Sequence, residues 1–170
     1  VQGGTYQPSK SGVIIIDTTE KVTLEITGNI NMPGYDKGCF ISIENACKEL
    51  TVINKYTVNV DNNVFLINKN KDATVTFEGG TYEALTNEDV PIIENGGVVN
   101  LKYVKFNATG SIMCGMIVRN FWYDLDLDGT INIQDGTILD NRGAMELRPC
   151  IWSGTVNMYG GTITSSEEKG

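Results

Sequence analysis

Three aspartates spaced two residues apart, Asp124, Asp126 and Asp128, run into Gly129 in the phrase DLDLDG. Carboxylates on alternate residues can converge on one hard cation such as calcium if the chain curls at the glycine. The Thr130 carbonyl and the Asn132 side chain would complete that set. Phe121, Trp122 and Tyr123 stand immediately before the acids, and Trp152 follows one repeat later. Aromatic rings beside carboxylates can hold a sugar by stacking while the acids take its hydroxyls. These four aromatics are therefore the candidate ligand-binding residues, with polysaccharide or host glycan as the partner. Plainer readings stand beside both. DLDLD also fits a strand with Leu125 and Leu127 inward and three solvated aspartates outward. The aromatics also fit a cluster that packs this segment onto the body of the protein.

The acid spacing resembles a calcium loop of the EF-hand or dockerin kind, with Asp135 in its twelfth position. That version departs from the pattern, because no helices flank the loop and Gln134 and Asp135 fall in a turn. A shorter loop, similar to those of integrin-type propellers, leads straight into a strand. It would use Asp124, Asp126, Asp128, the Thr130 carbonyl and Asn132.

Other chemistry is sparse. The chain has no histidine, which removes the commonest general base and metal ligand. Cys39, Cys47, Cys114 and Cys150 read as reduced thiols, mostly buried, because their places in the repeat separate them beyond disulfide reach. The net charge of −8 repels nucleic acid and anionic membrane surfaces. No apolar run is long enough to cross a bilayer as a helix, so membrane insertion is not expected.

The elements that must carry these residues are repeats. Segments starting at Val22, Leu50, Val75, Val99, Ile131 and Val156 align at spacings of 28, 25, 24, 32 and 25 residues. Each opens with strict alternation, such as Val22, Leu24 and Ile26 inward against Thr23 and Glu25 outward. A Gly-containing corner follows, then a second strand with one inward residue: Tyr6, Ile30, Val58, Tyr82, Phe106, Ile138 and Ile163. A third apolar stretch recurs at 13–16, 40–43, 64–67, 90–93, 116–118 and 144–147.

Stacking these copies predicts two outward rows. The first is Thr23, Thr51, Thr76, Asn100, Asn132 and Asn157. The second is Thr5, Asn29, Thr57, Thr81, Lys105, Thr137 and Thr162. About seven residues of excess in the fourth interval fall in RNFWYDLDLDG, and insertions in solenoids tend to be loops that bind.

Three short strands per turn of about 24 residues predict an all-β fold, a right-handed parallel β-helix of six to seven coils. The phrases GTVNMYGGTITSS and GTINIQDGTILDN resemble the β-helix repeats of Gram-positive bacterial surface proteins, within the pectin-lyase-like superfamily. The resemblance covers essentially the whole chain and implies an extracellular or cell-surface setting. It carries little about function, because that superfamily spans lyases, hydrolases, adhesins and stalks.

The expectation is a single β-solenoid domain over 1–170, a fragment of a longer repeat protein. Its function would be non-catalytic adhesion or glycan binding, assisted by calcium. The alternative is a structural stalk or filament subunit that associates end to end. Polysaccharide lyase or hydrolase activity is disfavoured: Arg119, Arg142 and Arg148 are the only arginines, and no substrate-cleft motif is visible.

Overall fold

The computed structural model describes residues 1–8, 12–33, 38–61, 63–84, 90–108, 117–119, 121–122, 127–141 and 151–165. The described residues contain strands and turns and no helix, and nineteen of the twenty-one strands fall into three parallel sheets.

Sheet 1 holds β3 (Val22–Ile26), β6 (Glu49–Asn54), β9 (Thr74–Glu78), β12 (Val98–Lys102), β17 (Thr130–Ile133) and β20 (Thr155–Met158). Sheet 2 holds β1 (Gly4–Thr5), β4 (Ile30–Asn31), β7 (Thr57–Asn59), β10 (Thr81–Ala84), β13 (Lys105–Ala108), β18 (Ile138–Asn141) and β21 (Thr162–Ser165). Sheet 3 holds β2 (Ile14–Ile16), β5 (Cys39–Ile43), β8 (Val64–Asn68), β11 (Ile93–Asn95), β14 (Val118–Arg119) and β19 (Ile151–Trp152). Along the chain the three sheets are visited in turn, so each strand pairs only with its counterparts one coil away. This is a parallel β-solenoid with three strands per coil.

The alternating sequence of sheet 1 dictates its packing. Leu50, Val75, Val99 and Ile131 point inward and are fully buried, as are Val52, Phe77, Leu101 and Ile133. Between them the outward row runs Thr23, Thr51, Thr76, Asn100, Asn132 and Asn157 in continuous register, as the repeat alignment predicts. Sheet 3 reads differently, with near-continuous apolar runs such as CFISI, and β5 is buried on both faces.

Aromatic rings stack along the interior. Phe40 lies on Phe65 at 5.5 Å between centroids, Phe65 meets Tyr82 edge-on at 4.9 Å, and Tyr82 lies on Phe106 at 5.0 Å. Offset and edge-on geometries of this kind add to the burial of each ring.

Two expected columns shift. Gly4, not Tyr6, pairs with Ile30, and Thr5 pairs with Asn31, so Tyr6 runs two residues on and meets Phe40 edge-on at 5.1 Å. In β18, Leu139 stacks on Phe106 and is fully buried, while Ile138 pairs with Lys105 and is 40 % exposed. Thr137 leaves the outward row altogether. It is buried, and its hydroxyl donates to the Leu101 carbonyl at 2.9 Å. The cause is one extra residue in the preceding corner. Ile133 to Leu139 spans six steps where Leu101 to Phe106 spans five, and a single residue flips which face a strand presents. In the last coil the sheet 3 strand is Ile151–Trp152, so Trp152 sits within that strand, opposite Arg119. Residues 144–147 lie outside the described residues.

Cys39 and Cys47 are free and buried, as the thiol reading predicts. Burial pushes the Cys39 thiol up to about 12 and raises Cys47 as well. Cys114 and Cys150 lie outside the described residues.

Candidate functional site

The corners from sheet 3 to sheet 1 take five residues in each of the first three coils and two in the coils on either side of the insertion. The chain crosses from β11 to β12 with only Gly96 and Gly97, and from β19 to β20 with Ser153 and Gly154. Between β14 and β17 it takes residues 120–129. There β15 (Phe121–Trp122) pairs antiparallel with β16 (Leu127–Asp128), joining Phe121 to Asp128 and Trp122 to Leu127. The insertion is therefore a hairpin, the one antiparallel pairing among the described residues. Its first strand lies against β11. This pairing differs from a single strand running through DLDLD, because Leu127 and Asp128 turn back along Phe121 and Trp122 instead of joining a coil. Tyr123, Asp124 and Asp126 lie outside the described residues.

The rest of the proposed cation set sits in the solenoid wall. Asn95, fully buried in β11, donates through Nδ2 to the Thr130 carbonyl at 3.2 Å and to the Gly97 carbonyl at 3.0 Å. Its Oδ1 accepts from Asn68 Nδ2 and from the Gly97 N–H, both at 3.0 Å. This buried amide network holds the corner from which β17 departs, and a buried amide left without such partners would be costly. Asn132 is tied into the outward row. Its Nδ2 donates to Asn100 Oδ1 at 2.8 Å, and its Oδ1 accepts from Asn157 Nδ2 at 2.9 Å.

The Thr130 carbonyl and Asn132 Oδ1 thus each accept a hydrogen bond from the side chain of a neighbouring coil, Thr130 at the buried corner and Asn132 in the outward row. Asp128 is exposed at the hairpin's return. Among the described residues no three acidic or thiol side chains come together as a metal-binding group. Trp152 is exposed in β19, on the sheet from which the hairpin strand departs.

No family model, curated protein or solved structure matches this chain.

One arrangement escaped the sequence reading, at the corner from sheet 1 to sheet 2. Side chains there drape over glycines of the next coil. A Cβ on Gly80 would come within 2.2 Å of Asn54 Nδ2, one on Gly136 within 2.2 Å of Tyr103 Cδ1, and one on Gly160 within 2.1 Å of Asp135 Oδ1. The recurring glycines were legible, but what occupies the space above them depends on coil register.

Proposed function

We propose that this chain is a non-catalytic β-solenoid surface module that uses its hairpin to bind glycan. The setting is the one its repeat phrases resemble, the outside of a Gram-positive bacterium and the pectin-lyase-like class of β-helices. The observation that carries the reading is the antiparallel pairing of 121–122 with 127–128 on an otherwise uniform parallel wall. A solenoid that only spaces other domains gains nothing from a paired insertion rich in Phe, Trp, Tyr and Asp. A binding surface does. Calcium assistance belongs to the same proposal through Asp124, Asp126 and Asp128, with Thr130 and Asn132 omitted because their oxygens serve the coil.

The test is to replace residues 121–128 with a single glycine and compare both proteins on a glycan array and in calcium titration calorimetry. Glycan signal and calcium heat are expected in the intact chain and absent from the excised one. An intact chain silent on the array ends the glycan reading.

A second reading, a structural filament unit, is favoured by one observation. The inward-facing Val156 and Met158 are 44 % and 54 % exposed, while Ile131 and Ile133 beneath them are fully buried. A further coil stacked on β20 and β21 would cover them, and in the filament reading a second copy supplies that coil. Light scattering across a concentration series tests this: mass should grow with concentration, and a monomer throughout removes the reading.

A further inference from the structure

Tyr103, at the corner from sheet 1 to sheet 2, breaks two rules at once. Its φ is 53°, in the left-handed region that a bulky L-residue adopts only under strain. Its side chain is also 67 % exposed, so burial does not account for the strain. The ring lies close beside Gly136, where an added Cβ would fall within 2.2 Å of Cδ1, and most of the residue stays open to solvent. The Tyr103 N–H donates to the Asp135 carbonyl at 3.2 Å, and the Asp135 carboxylate extends to the next coil, over Gly160. Ring and carboxylate therefore step along the solenoid axis by about one strand spacing, roughly 4.8 Å.

Strain kept at an exposed aromatic points to a role outside folding. An exposed tyrosine ring suits the CH-lined side of a pyranose, and an adjacent carboxylate suits its hydroxyls. Charge decides which sugar. Lys102 and Lys105 flank Tyr103, with Lys102 paired to Glu78 at 3.8 Å, while Asp135 and the net charge of −8 disfavour uronates and other anionic polymers. Sheet 1 links this corner to the hairpin, because β12 leads into Tyr103 and the hairpin leads into β17 beside it. Between them lie the amides of Asn100 and Asn132, which are neutral and polar.

We propose that Tyr103 and Asp135 form a second contact for a neutral polysaccharide, across sheet 1 from the hairpin. The proposal rests on the glycan-binding reading and adds a substrate class and a place. Tyr103 stacks on one sugar ring and Asp135 accepts hydroxyl hydrogen bonds from the next.

Affinity electrophoresis in native gels containing soluble mannan, xyloglucan or mixed-linkage glucan tests it. The intact chain should be retarded by at least one of these polymers. Tyr103→Gly, whose backbone accepts the left-handed angle, should bind about tenfold more weakly, Tyr103→Phe should stay within about twofold, and Asp135→Asn should fall between. Thermal melts should show Tyr103→Gly folded, with a midpoint at or above that of the intact chain. Equal retardation of the intact chain and Tyr103→Gly overturns this contact while leaving the glycan reading in place. Retardation lost in Tyr103→Gly but kept after hairpin excision supports the contact and removes the hairpin from binding. An intact chain that no polymer retards overturns both.

Discussion

Asn132 Nδ2 donates to Asn100 Oδ1 at 2.8 Å, a hydrogen bond between side chains 32 residues apart in sequence and one coil apart in space. With Asn157 donating to Asn132 Oδ1, the amide at 132 bridges three coils. Replacing it with alanine removes both bonds at a half-buried site, where neighbouring amides can turn to water. Asn132→Ala should lose about 1–2 kcal/mol in urea unfolding. Asn95→Ala should lose more, about 2–4 kcal/mol, because its partners at Asn68, Gly97 and Thr130 would be left in a dry interior. Equal costs at the two sites would contradict this assignment of buried and outward ladders.

The phase of β18 gives a sharper contrast. Leu139 is fully buried on Phe106, and Ile138 beside it faces solvent next to Lys105. Leu139→Ala should cost about 3 kcal/mol and Ile138→Ala no more than about 0.5 kcal/mol. The reverse order would restore the column in which Ile138 points inward.

That pair also shows where sequence reasoning stops. The row from Thr23 to Asn157 was legible because polar and apolar residues alternate there and the same types recur at the same offset. At Ile138 and Leu139 two apolar residues sit side by side, so alternation cannot say which points inward. The number of residues in the preceding corner decides, and that depends on how Asp135 and Gly136 turn. The insertion was legible as excess length, and its antiparallel pairing was not, because a two-residue strand carries no periodic signal. Tyr103 was invisible for another reason: tyrosine gives no hint of a left-handed backbone, whereas glycine or asparagine would.

Gly136 should tolerate no side chain. Its φ is 71°, and an added Cβ would fall within 2.2 Å of the Tyr103 ring. Gly136→Ala should destabilise by about 1–3 kcal/mol. Pairing it with Tyr103→Gly removes the clash and should recover part of that loss, leaving the cost of the backbone angle. A double-mutant cycle with no coupling would mean the ring does not lie over Gly136.

Alkali should loosen the fold through Cys39. Its Sγ donates to the Ile41 carbonyl at 2.9 Å, and burial raises the thiol from 9.0 to about 12. In the unfolded chain the thiol loses its proton near 9.0, whereas the folded chain keeps it, so the folded state binds more protons in between. The contribution to stability is complete below 9.0 and is lost as pH rises toward about 12. Cys39→Ser keeps a donor for Ile41 and removes the titration. Its stability should fall less steeply above pH 9.0 than that of the parent chain, as followed by chemical unfolding at stepped pH.

Excising the hairpin should leave the solenoid standing. In the coil before it, Glu94 and Asn95 are followed by Gly96 and Gly97, and then by Val98, which pairs with Thr130. Arg119 pairs with Glu94, and Asn120 follows it as Asn95 follows Glu94. Putting one glycine in place of 121–128 gives Asn120, Gly, Gly129 and Thr130, the same order that closes the preceding corner with two glycines. The β14–β11 and β17–β12 pairings then need no change, and the shorter loop lowers the entropy cost of closure slightly. The melting temperature should move by no more than a few degrees. A collapse of cooperative unfolding would show instead that the hairpin braces β11, as its contact with that strand permits, and would make the insertion a structural part of the coil.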